Sequence, residues 1–600
     1  MRTLFYGFRA AAAVLLIGGA IIPASAQSDD QRLAEAKTQT ASYLRYFKFE
    51  SKFSQQEIDR LAALRVKIHS PSTSLEDRQA ALKEFLAMIF RAAGTNPAPP
   101  EQALENFAKN NGQALHRLVN DPGAKPSGGS TPLGDLGPVE KRGRGPVPMI
   151  LIADIRTDWS LYRSFMDRNA DRYTMYAVTL PGYGGAPAPP RPETLDLKTT
   201  PWWDGAEKGV ISLIEKNGLN KPVVVGIAAS SFLATRLAVN HPDRIRAAVA
   251  IDGNVYAAFR SLANPDYPAT PEERPDVLMK QPGAIGMVSE FLPTMTPSRE
   301  SAEARIKALP PAQLTQFSAG VREIERARAM AIDAAVSSDP RAYRYNVELF
   351  ASDLTGALKN LKVPLLAIPA VHDDNSPGQG GPAPSQWFEA KMKFPAIPLT
   401  VAPFENTRTY VIEDAPQELD RAIESFLAGK PVEGRRGLSM ATRPSPRGEV
   451  GEQIGSLKVS ITYGRPQVNK RQIWGQLVPY NRVWRTGANE ATYITFSSDV
   501  FVEGQKLAAG SYALFTIPTE TEWTVIFNKV PGLWGHFYYN PEFDALRVKV
   551  KPQAAEHQEW LGYSFEMLSP TSANVIVHWE KIKTPIKIEA EPPKAAGSGN

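Results

Sequence analysis

The sequence predicts a three-part fold: a helical N-terminal segment, a doubly wound α/β sheet with a helical cap, and a C-terminal all-β sandwich. Apolar residues at helical spacing predict the first part. Apolar, largely β-branched runs that alternate with helical patterns predict the second. Short runs of period two, separated by Gly, Pro and Asn, predict the third. The length of 600 residues allows several independent hydrophobic cores.

Residues 1–26 have the pattern of a secretory signal peptide. Arg2 and Arg9 precede an apolar run, and Ala24-Ser25-Ala26 stands before Gln27. We therefore expect cleavage after Ala26 and a secreted or periplasmic protein. The chain contains no cysteine, which excludes disulfides and thiol chemistry.

Composition restricts the possible partners. The formal net charge of +5 falls to +3 without residues 1–26, because they contain two arginines and no acidic residue. This excess is too small to indicate nucleic-acid binding. No later apolar run is long enough to span a bilayer, so we expect no transmembrane segment after signal cleavage. We predict no cofactor and no metal site, since His536 lacks nearby residues at metal-ligand spacing.

Residues 27–120 are helical in pattern. Ser54 and Glu57 form a predicted capping box at the start of one helix. A second helix contains Leu82 to Phe90 and ends before the run Asn96-Pro97-Ala98-Pro99-Pro100. The aromatic cluster from Tyr43 to Phe49 either binds a partner or docks its helix onto the neighbouring domain. A Gly/Pro/Ser-rich linker follows at 121–138.

Several apolar runs in the middle region predict parallel strands. They are Pro148-Met149-Ile150-Leu151-Ile152, Val223 to Ile227, Ala247 to Ile251 and Val363 to Ile368. The run Val223 to Gly226 leads almost directly into a helical pattern beginning near Phe232, and a final amphipathic helix starts at Pro416.

This region resembles the α/β-hydrolase superfamily over residues 139–430, with a cap insertion at 256–350. The superfamily's G-x-S-x-G nucleophile turn corresponds to Gly226-Ile227-Ala228-Ala229-Ser230, which places Ala228 at the nucleophile position. The resemblance places Asp373 at the acid position, with Asp374 as the alternative. It places Thr409 at the histidine position, and Asp154 where active relatives have part of the oxyanion loop.

The resemblance therefore implies a catalytically degenerate hydrolase, a pseudoenzyme, because a methyl group cannot attack a carbonyl. Its expected role is binding, either of a small molecule under the cap or of a protein in a cell-envelope assembly. The alternative is an esterase or peptidase-like hydrolase with a displaced nucleophile, Ser230 or Ser231, and His372 as its base.

Residues 448–590 have the alternating strands of a β-sandwich, between a linker at 431–447 and a tail at 591–600. This region contains the sequence elements Tyr463-Gly464-Arg465-Pro466, Ile473-Trp474-Gly475, Val483 to Ala491, and Ala509 to Phe515. With these elements the region resembles DUF2911, a bacterial exported family of unknown function, over about 445–552.

Six residues of this region are candidates for binding a sugar or an anion, because aromatic rings stack on sugars and guanidinium groups bind anions bidentately. A carbohydrate-binding envelope protein would expose Trp474 and Trp484 as a platform. In the other interpretation the tryptophans are core residues and Arg485 pairs with Glu490. The candidates are Arg465, Trp474, Trp484, Arg485, Asn489 and Glu490.

Overall fold

A computed structural model describes most of the chain. The chain divides into two compact units. The first unit contains the described residues up to 371 together with 394–435, and the second contains 384–393 and the described residues from 445 onward. The predicted signal peptide, the candidate residues His372, Asp373 and Asp374, and His536 lie outside the described residues. The described ranges are 29–46, 49–93, 101–126, 128–192, 199–253, 255, 295–309, 323–371, 384–405, 407–435, 445–530, 539 and 541–590.

The N-terminal segment is helical, as the sequence predicts. Ser54 caps its helix with the reciprocal Ser54 and Glu57 hydrogen bonds of a capping box, which confirms that prediction. Apolar side chains such as Leu61, Leu82 and Phe85 are buried between the helices in one cluster. The helices are Asp29–Tyr46, Gln55–His69, Leu75–Ala93 and Glu101–Val119.

The helical segment packs against a later part of the same unit. Val347 belongs to its hydrophobic cluster, and the buried Arg344 donates a hydrogen bond to the Tyr46 hydroxyl. Arg191 lies over the rings of Tyr43 and Tyr46 at 4.1 and 4.8 Å. These described members of the aromatic cluster therefore dock the first helix onto the neighbouring domain.

The middle of the chain forms a seven-stranded mixed sheet. Its strand order is β7-β6-β5-β4-β2-β3-β1, with β1 antiparallel to β3 and the other pairs parallel. The side chains of β4 and β5 are fully buried, because helices cover both faces of such a sheet. The strands are β1 Val139–Arg142, β2 Val147–Ile152, β3 Tyr173–Val178, β4 Val223–Ile227, β5 Ala247–Ile251, β6 Leu365–Ile368 and β7 Leu399–Val401.

Helices connect these strands in the doubly wound manner that the sequence predicts. The predicted final helix occupies Pro416–Leu427, and the described parts of the predicted cap insertion contain three helices, Arg299–Lys307, Ile324–Ser337 and Arg344–Ala351. The other α-helices of this unit are Arg163–Arg168, Pro201–Lys216, Ser230–Asn240 and Val411–Asp414.

The second unit contains two antiparallel sheets, as predicted for the C-terminal region. The six-stranded sheet has the order β8-β9-β10-β13-β14-β15, and the four-stranded sheet has the order β12-β11-β17-β16. The strands are β8 Arg447–Ile454, β9 Leu457–Gly464, β10 Thr492–Phe496, β11 Val500–Val502, β12 Gln505–Leu507, β13 Gly510–Ile517, β14 Trp523–Asn528, β15 Asp544–Val550, β16 Gln553–Ser569 and β17 Ser572–Ala590.

One helix of the second unit comes from the middle of the sequence. Pro384–Lys393 lies between β6 and β7 along the chain, yet it is grouped with the C-terminal sheets. Phe388 and Met392 pack against a cluster that includes Phe515 and Ile526. The two units are therefore interleaved in sequence, and the predicted range 139–430 for the sheet domain includes a helix of the other unit.

Within the described ranges, no helix combines the length and the apolar character needed to cross a membrane.

Candidate functional site

The turn between β4 and the helix Ser230–Asn240 has the geometry of a nucleophile elbow. Ala228 has a φ of 50°, a left-handed conformation that is rare and strained for a residue with a side chain. The turn is tight because Gly226 lies against the helix, where a Cβ would come within 2.4 Å of the Ser230 carbonyl oxygen. The structure thus puts Ala228, a residue without a reactive group, at the tip of the elbow.

Asp154 occupies the space beside this elbow. It follows β2, is 3% exposed, and its Oδ1 accepts a hydrogen bond of 3.0 Å from the Ala229 backbone N–H. Its Oδ2 accepts a hydrogen bond of 3.0 Å from the Tyr410 hydroxyl. In an α/β-hydrolase, the N–H after the nucleophile is a donor of the oxyanion hole. Here that donor is already bonded to a side chain of the protein.

A second buried carboxyl group, Asp252, lies at the same edge of the sheet. It follows β5, is 2% exposed, and its Oδ1 accepts a hydrogen bond of 3.1 Å from the Ala370 N–H. Its Oδ2 makes no hydrogen bond of standard geometry among the described residues, and the Thr409 side chain is the hydrogen-bonding neighbour of this carboxyl group. The sequence analysis did not select Asp252, although its position directly after a buried strand was a usable signal.

Burial raises the pKa of both carboxyl groups. The pKa of Asp154 rises from 3.8 to about 6, with Arg156 and the Tyr410 hydroxyl offsetting part of the change. The pKa of Asp252 rises from 3.8 to about 7, because burial and the charge of Asp154 outweigh the effects of Thr409 and the Ala370 N–H. Each carboxyl group disfavours ionisation of the other when they share a site.

Thr409 stands at the position that the resemblance gives to the histidine. It is half-buried and close enough to Asp252 to lower the pKa of that carboxyl group. The described acid facing the histidine position is therefore Asp252. The acid predicted from sequence, Asp373, lies outside the described residues, so its role stays a prediction.

Both candidate serines have hydroxyl groups bonded to the backbone. Ser230 is fully buried, and its Oγ donates toward the carbonyl oxygens of Ile152 and Ile227 at 2.7 and 2.8 Å and accepts from the Ile227 N–H at 2.9 Å. Ser231 Oγ donates to the Ala228 carbonyl oxygen at 2.5 Å, and its side chain packs against Gly253. These contacts fix the strand, the elbow and the helix to one another.

The tryptophans proposed as a platform lie in the interior of the C-terminal unit. Trp484 is 7% exposed and Trp474 is half-buried, with their ring centroids 5.8 Å apart. Trp523 and Trp579 pack against both rings. The four rings form one aromatic cluster inside the sandwich and present no exposed stacking platform.

The polar candidates of this unit are distributed over two places. Arg465 and Asn489 both bond near the start of the unit, through Arg465 N–H to Pro446 O and Asn489 Nδ2 to Ser445 O. Arg485 interacts with Glu490, which offsets part of the lowering of its pKa to about 10 by burial. Ligand binding by the six candidates stays a prediction.

Comparison with known proteins places both regions in families. Residues 149–422 match the model of the alpha/beta hydrolase family, and residues 445–588 match a family described as a protein of unknown function, DUF2911. A search of the curated proteins found no match.

Solved hydrolase structures are similar to about half of the chain. An E-2-(acetamidomethylene)succinate hydrolase is 19% identical, with 48% of this chain and 94% of that chain covered and a TM-score of 0.34. A thermophilic esterase from Thermogutta terrifontis is 16% identical, with coverages of 49% and 93% and a TM-score of 0.34. An enol-lactonase from Burkholderia xenovorans LB400 is 17% identical, with coverages of 48% and 95% and a TM-score of 0.34.

The chain thus joins a domain of the alpha/beta hydrolase family, at 149–422, to a DUF2911 domain at 445–588.

Proposed function

We propose that the hydrolase-family domain binds a ligand without hydrolysing it. One observation carries this proposal: the Asp154 carboxyl group accepts the Ala229 N–H, the donor that an oxyanion would need. An ionised carboxylate there places negative charge where a hydrolytic transition state develops negative charge. The donor cannot serve an oxyanion until Asp154 leaves.

The elbow supports the same proposal. Ala228 keeps the positive φ of a nucleophile turn but offers only a methyl group. No acyl-enzyme forms on carbon, so covalent catalysis through this position is excluded.

The base is missing from the position that would activate a nucleophile. Thr409 contacts Asp252 in place of a histidine, and a threonine hydroxyl does not accept a proton near neutral pH. An acid next to the histidine position therefore has no imidazole to orient.

The contacts of the two serines weigh against the alternative of a displaced nucleophile. A nucleophile needs a base within hydrogen-bond reach, about 2.6–3.2 Å. The Ser230 and Ser231 hydroxyl groups instead donate to backbone carbonyl oxygens. Both side chains are also almost completely buried.

The site chemistry favours neutral or cationic ligands. Asp154 is mostly ionised at pH 7 and repels anions, whereas a protonated Asp252 can donate a hydrogen bond. The ends of parallel strands are also the usual ligand-binding edge of a doubly wound sheet. An amine or a polyhydroxylated small molecule fits this pair of carboxyl groups better than a carboxylate does.

The proposal includes export to the cell envelope. Its support is the pattern of residues 1–26, with small residues before Gln27. Sequencing the N-terminus of the protein recovered from a secretion-competent bacterial host tests it. We expect the mature chain to begin at Gln27, and an uncleaved chain retained in the cytoplasm would contradict export.

Ester turnover tests the absence of hydrolysis. We expect the purified protein and its Ala228→Ser variant to turn over a series of p-nitrophenyl esters no faster than the buffer does. The single variant stays inactive because Asp154 still holds the Ala229 N–H and Thr409 still occupies the histidine position.

A triple variant provides the matched positive control. Asp154→Gly frees the oxyanion donor, Ala228→Ser supplies the nucleophile, and Thr409→His places an imidazole beside Asp252. We expect measurable turnover from this variant alone. Turnover by the unmodified protein that disappears in Ser231→Ala would overturn the proposal.

A further inference from the structure

A small pocket in the N-terminal helical segment is lined by unusually basic residues. It lies between the helices Asp29–Tyr46 and Gln55–His69 and has a volume of about 20 Å³. A cavity of this size holds roughly one small polar group. Residues that line it include Arg32, Gln39, Arg65, His69, Ser70 and Pro71.

Arg65 is the central feature of this pocket. Its side chain is buried at 3% exposure, and neither Nη1 nor Nη2 makes a hydrogen bond of standard geometry to a described residue, with Tyr43 as the hydrogen-bonding neighbour of the guanidinium. The guanidinium lies 4.5 Å from the centroid of the Tyr43 ring. Burial lowers its pKa, and the contact with Tyr43 offsets part of that change. The Tyr43 side chain supplies no full counter-charge, and a buried cation without one is costly, so the site favours an anion.

His69 lies one helical turn after Arg65 on the same helix and lines the same pocket. It is 8% exposed, and its Nε2 has no hydrogen-bond partner in the described ranges. Burial, followed by the charges of Arg65 and Arg78, lowers its pKa well below the ordinary value. Neutral imidazole with a proton on Nε2 is a hydrogen-bond donor.

The neighbouring charged groups do not neutralise the pocket. Arg78 donates to the carbonyl oxygens of Ile68, Ser70 and Thr73, and Arg191 adds a further positive charge near Arg65. The carboxylate of Glu35 attracts Arg65 weakly and accepts a hydrogen bond from Gln39 at 2.9 Å. The balance around the pocket is therefore cationic.

We propose that this pocket binds one oxyanion group, the carboxylate or phosphate of a small anion, through Arg65 and His69. The two Nη groups of Arg65 form a planar fork that matches two oxygens of such a group. His69 Nε2–H supplies a third donor. This site is separate from the hydrolase-family domain and independent of the function proposed for it.

Calorimetric titration of the full mature chain with sodium phosphate and with sodium acetate, at one ionic strength set by sodium chloride, tests the proposal. We expect saturable binding of at least one of the two anions. Phosphate binding alone indicates a phosphorylated ligand, and acetate binding alone indicates a carboxylate ligand.

Two variants of arginines on the same helix separate the site from general charge effects. Arg65→Met removes the fork and is expected to weaken binding by about 10- to 100-fold, the loss of a charge-assisted bidentate contact. Arg60→Met removes an exposed arginine that pairs with Glu84, and we expect it to leave affinity unchanged within about twofold.

A further variant keeps the test valid if Arg65→Met fails to fold by circular dichroism. Gln39→Glu replaces the half-buried amide that bonds Glu35 with a negative charge in the lining of the pocket, and we expect it to weaken anion binding at least about tenfold. The proposal is overturned if the unmodified chain shows no saturable binding of either anion up to about 50 mM, the range of very weak ligands. It is also overturned if Arg65→Met and Gln39→Glu, or whichever of the two folds, bind the anion as tightly as the unmodified chain does.

Discussion

At the scale of single residues, two buried carboxyl groups, Asp154 and Asp252, lie at the edge of the sheet that carries the elbow. Asp154 accepts hydrogen bonds from the Ala229 N–H and the Tyr410 hydroxyl, whereas Asp252 accepts one from the Ala370 N–H and lies beside the Thr409 side chain. Burial raises the pKa of both carboxyl groups, because a carboxylate inside the fold lacks the hydration that it has in water. The site therefore costs folding stability, which is a common property of functional sites.

The raised pKa of Asp252 predicts a pH effect on stability. Between its unfolded pKa of 3.8 and its folded pKa of about 7, the native state binds more protons, so this residue lowers the free energy of unfolding as the pH rises. Asp252→Asn removes the effect. We compare the free energy of unfolding of the variant with that of the unmodified protein. We expect this difference to favour the variant by up to about 4 kcal/mol more at pH 8 than at pH 4. Urea unfolding at the two pH values measures this difference.

Asp243→Asn is the control for that measurement. The Asp243 side chain is 75% exposed, and we expect its substitution to have nearly the same small effect at both pH values. A difference between Asp252→Asn and the unmodified protein that does not change between pH 4 and pH 8 would contradict the assignment of the raised pKa.

Sequence could predict part of this site. The resemblance identified Ala228 and Thr409 because strand, turn and helix patterns fix their positions locally. The role of Asp154 as the acceptor of the Ala229 N–H depends on two strands that are 75 residues apart, so no local pattern contains it. Asp252 and Thr409 are likewise brought together only by the sheet. Arg65 and His69 have a helical spacing visible in the sequence, but their burial is a property of packing.

At the scale of elements, a buried ion pair within the helix Arg344–Ala351 lies where that helix meets the N-terminal helical segment. Arg344 Nε donates to Glu348 Oε1 at 2.7 Å, with both side chains at most 2% exposed. Glu348 Oε2 also accepts the N–H groups of Trp202 and Trp203 at 3.1 and 3.3 Å. Arg344 also donates a hydrogen bond to Tyr46. One buried polar network therefore joins three helices, Asp29–Tyr46, Pro201–Lys216 and Arg344–Ala351.

Breaking this pair from one side is expected to destabilise the protein strongly. Arg344→Met leaves Glu348 buried without its cation, which typically costs about 3–5 kcal/mol of unfolding free energy. The double variant Arg344→Met/Glu348→Gln removes both charges, and we expect it to be more stable than Arg344→Met alone. Thermal unfolding of both variants measures the difference. Arg45→Met, at an exposed arginine, is the control, and a double variant less stable than Arg344→Met would contradict the account.

The helix Pro384–Lys393 packs in a different unit from the one that its position in the sequence predicts. Its position between β6 and β7 predicts a place in the doubly wound domain, but Phe388 and Met392 cover Phe515 and Ile526 of the other unit. An amphipathic pattern specifies that a face is buried without specifying which surface buries it.

The packing of this helix predicts the effect of removing its apolar face. Phe388→Ala/Met392→Ala is expected to increase hydrogen exchange in β13 and β14, because those strands lose the side chains that cover them. Mass spectrometry of peptides from 510–517 and 523–528 reports the change. Met567→Ala is the control, since Met567 is 47% exposed. Equal protection of both strands in the double variant and the control would contradict the packing.

At the scale of the whole molecule, the sequence predicted the three structural classes correctly. Helical periodicity, buried strands and alternating strands each predict one class, because each period reflects which faces of an element are buried. The interleaving of the two units and the docking of the helical segment required the structure. Those features depend on contacts between residues far apart in sequence, such as Tyr46 and Arg344.

The central claim is that a hydrolase-family domain in this protein has no working nucleophile. Intact-mass measurement after incubation with a fluorophosphonate tests it most directly, because a single covalent turnover suffices for detection. We predict no adduct on the unmodified protein and an adduct on the triple variant Asp154→Gly/Ala228→Ser/Thr409→His. A stoichiometric adduct on the unmodified protein, located at Ser230 or Ser231 and absent from the alanine variant of that serine, would contradict the claim.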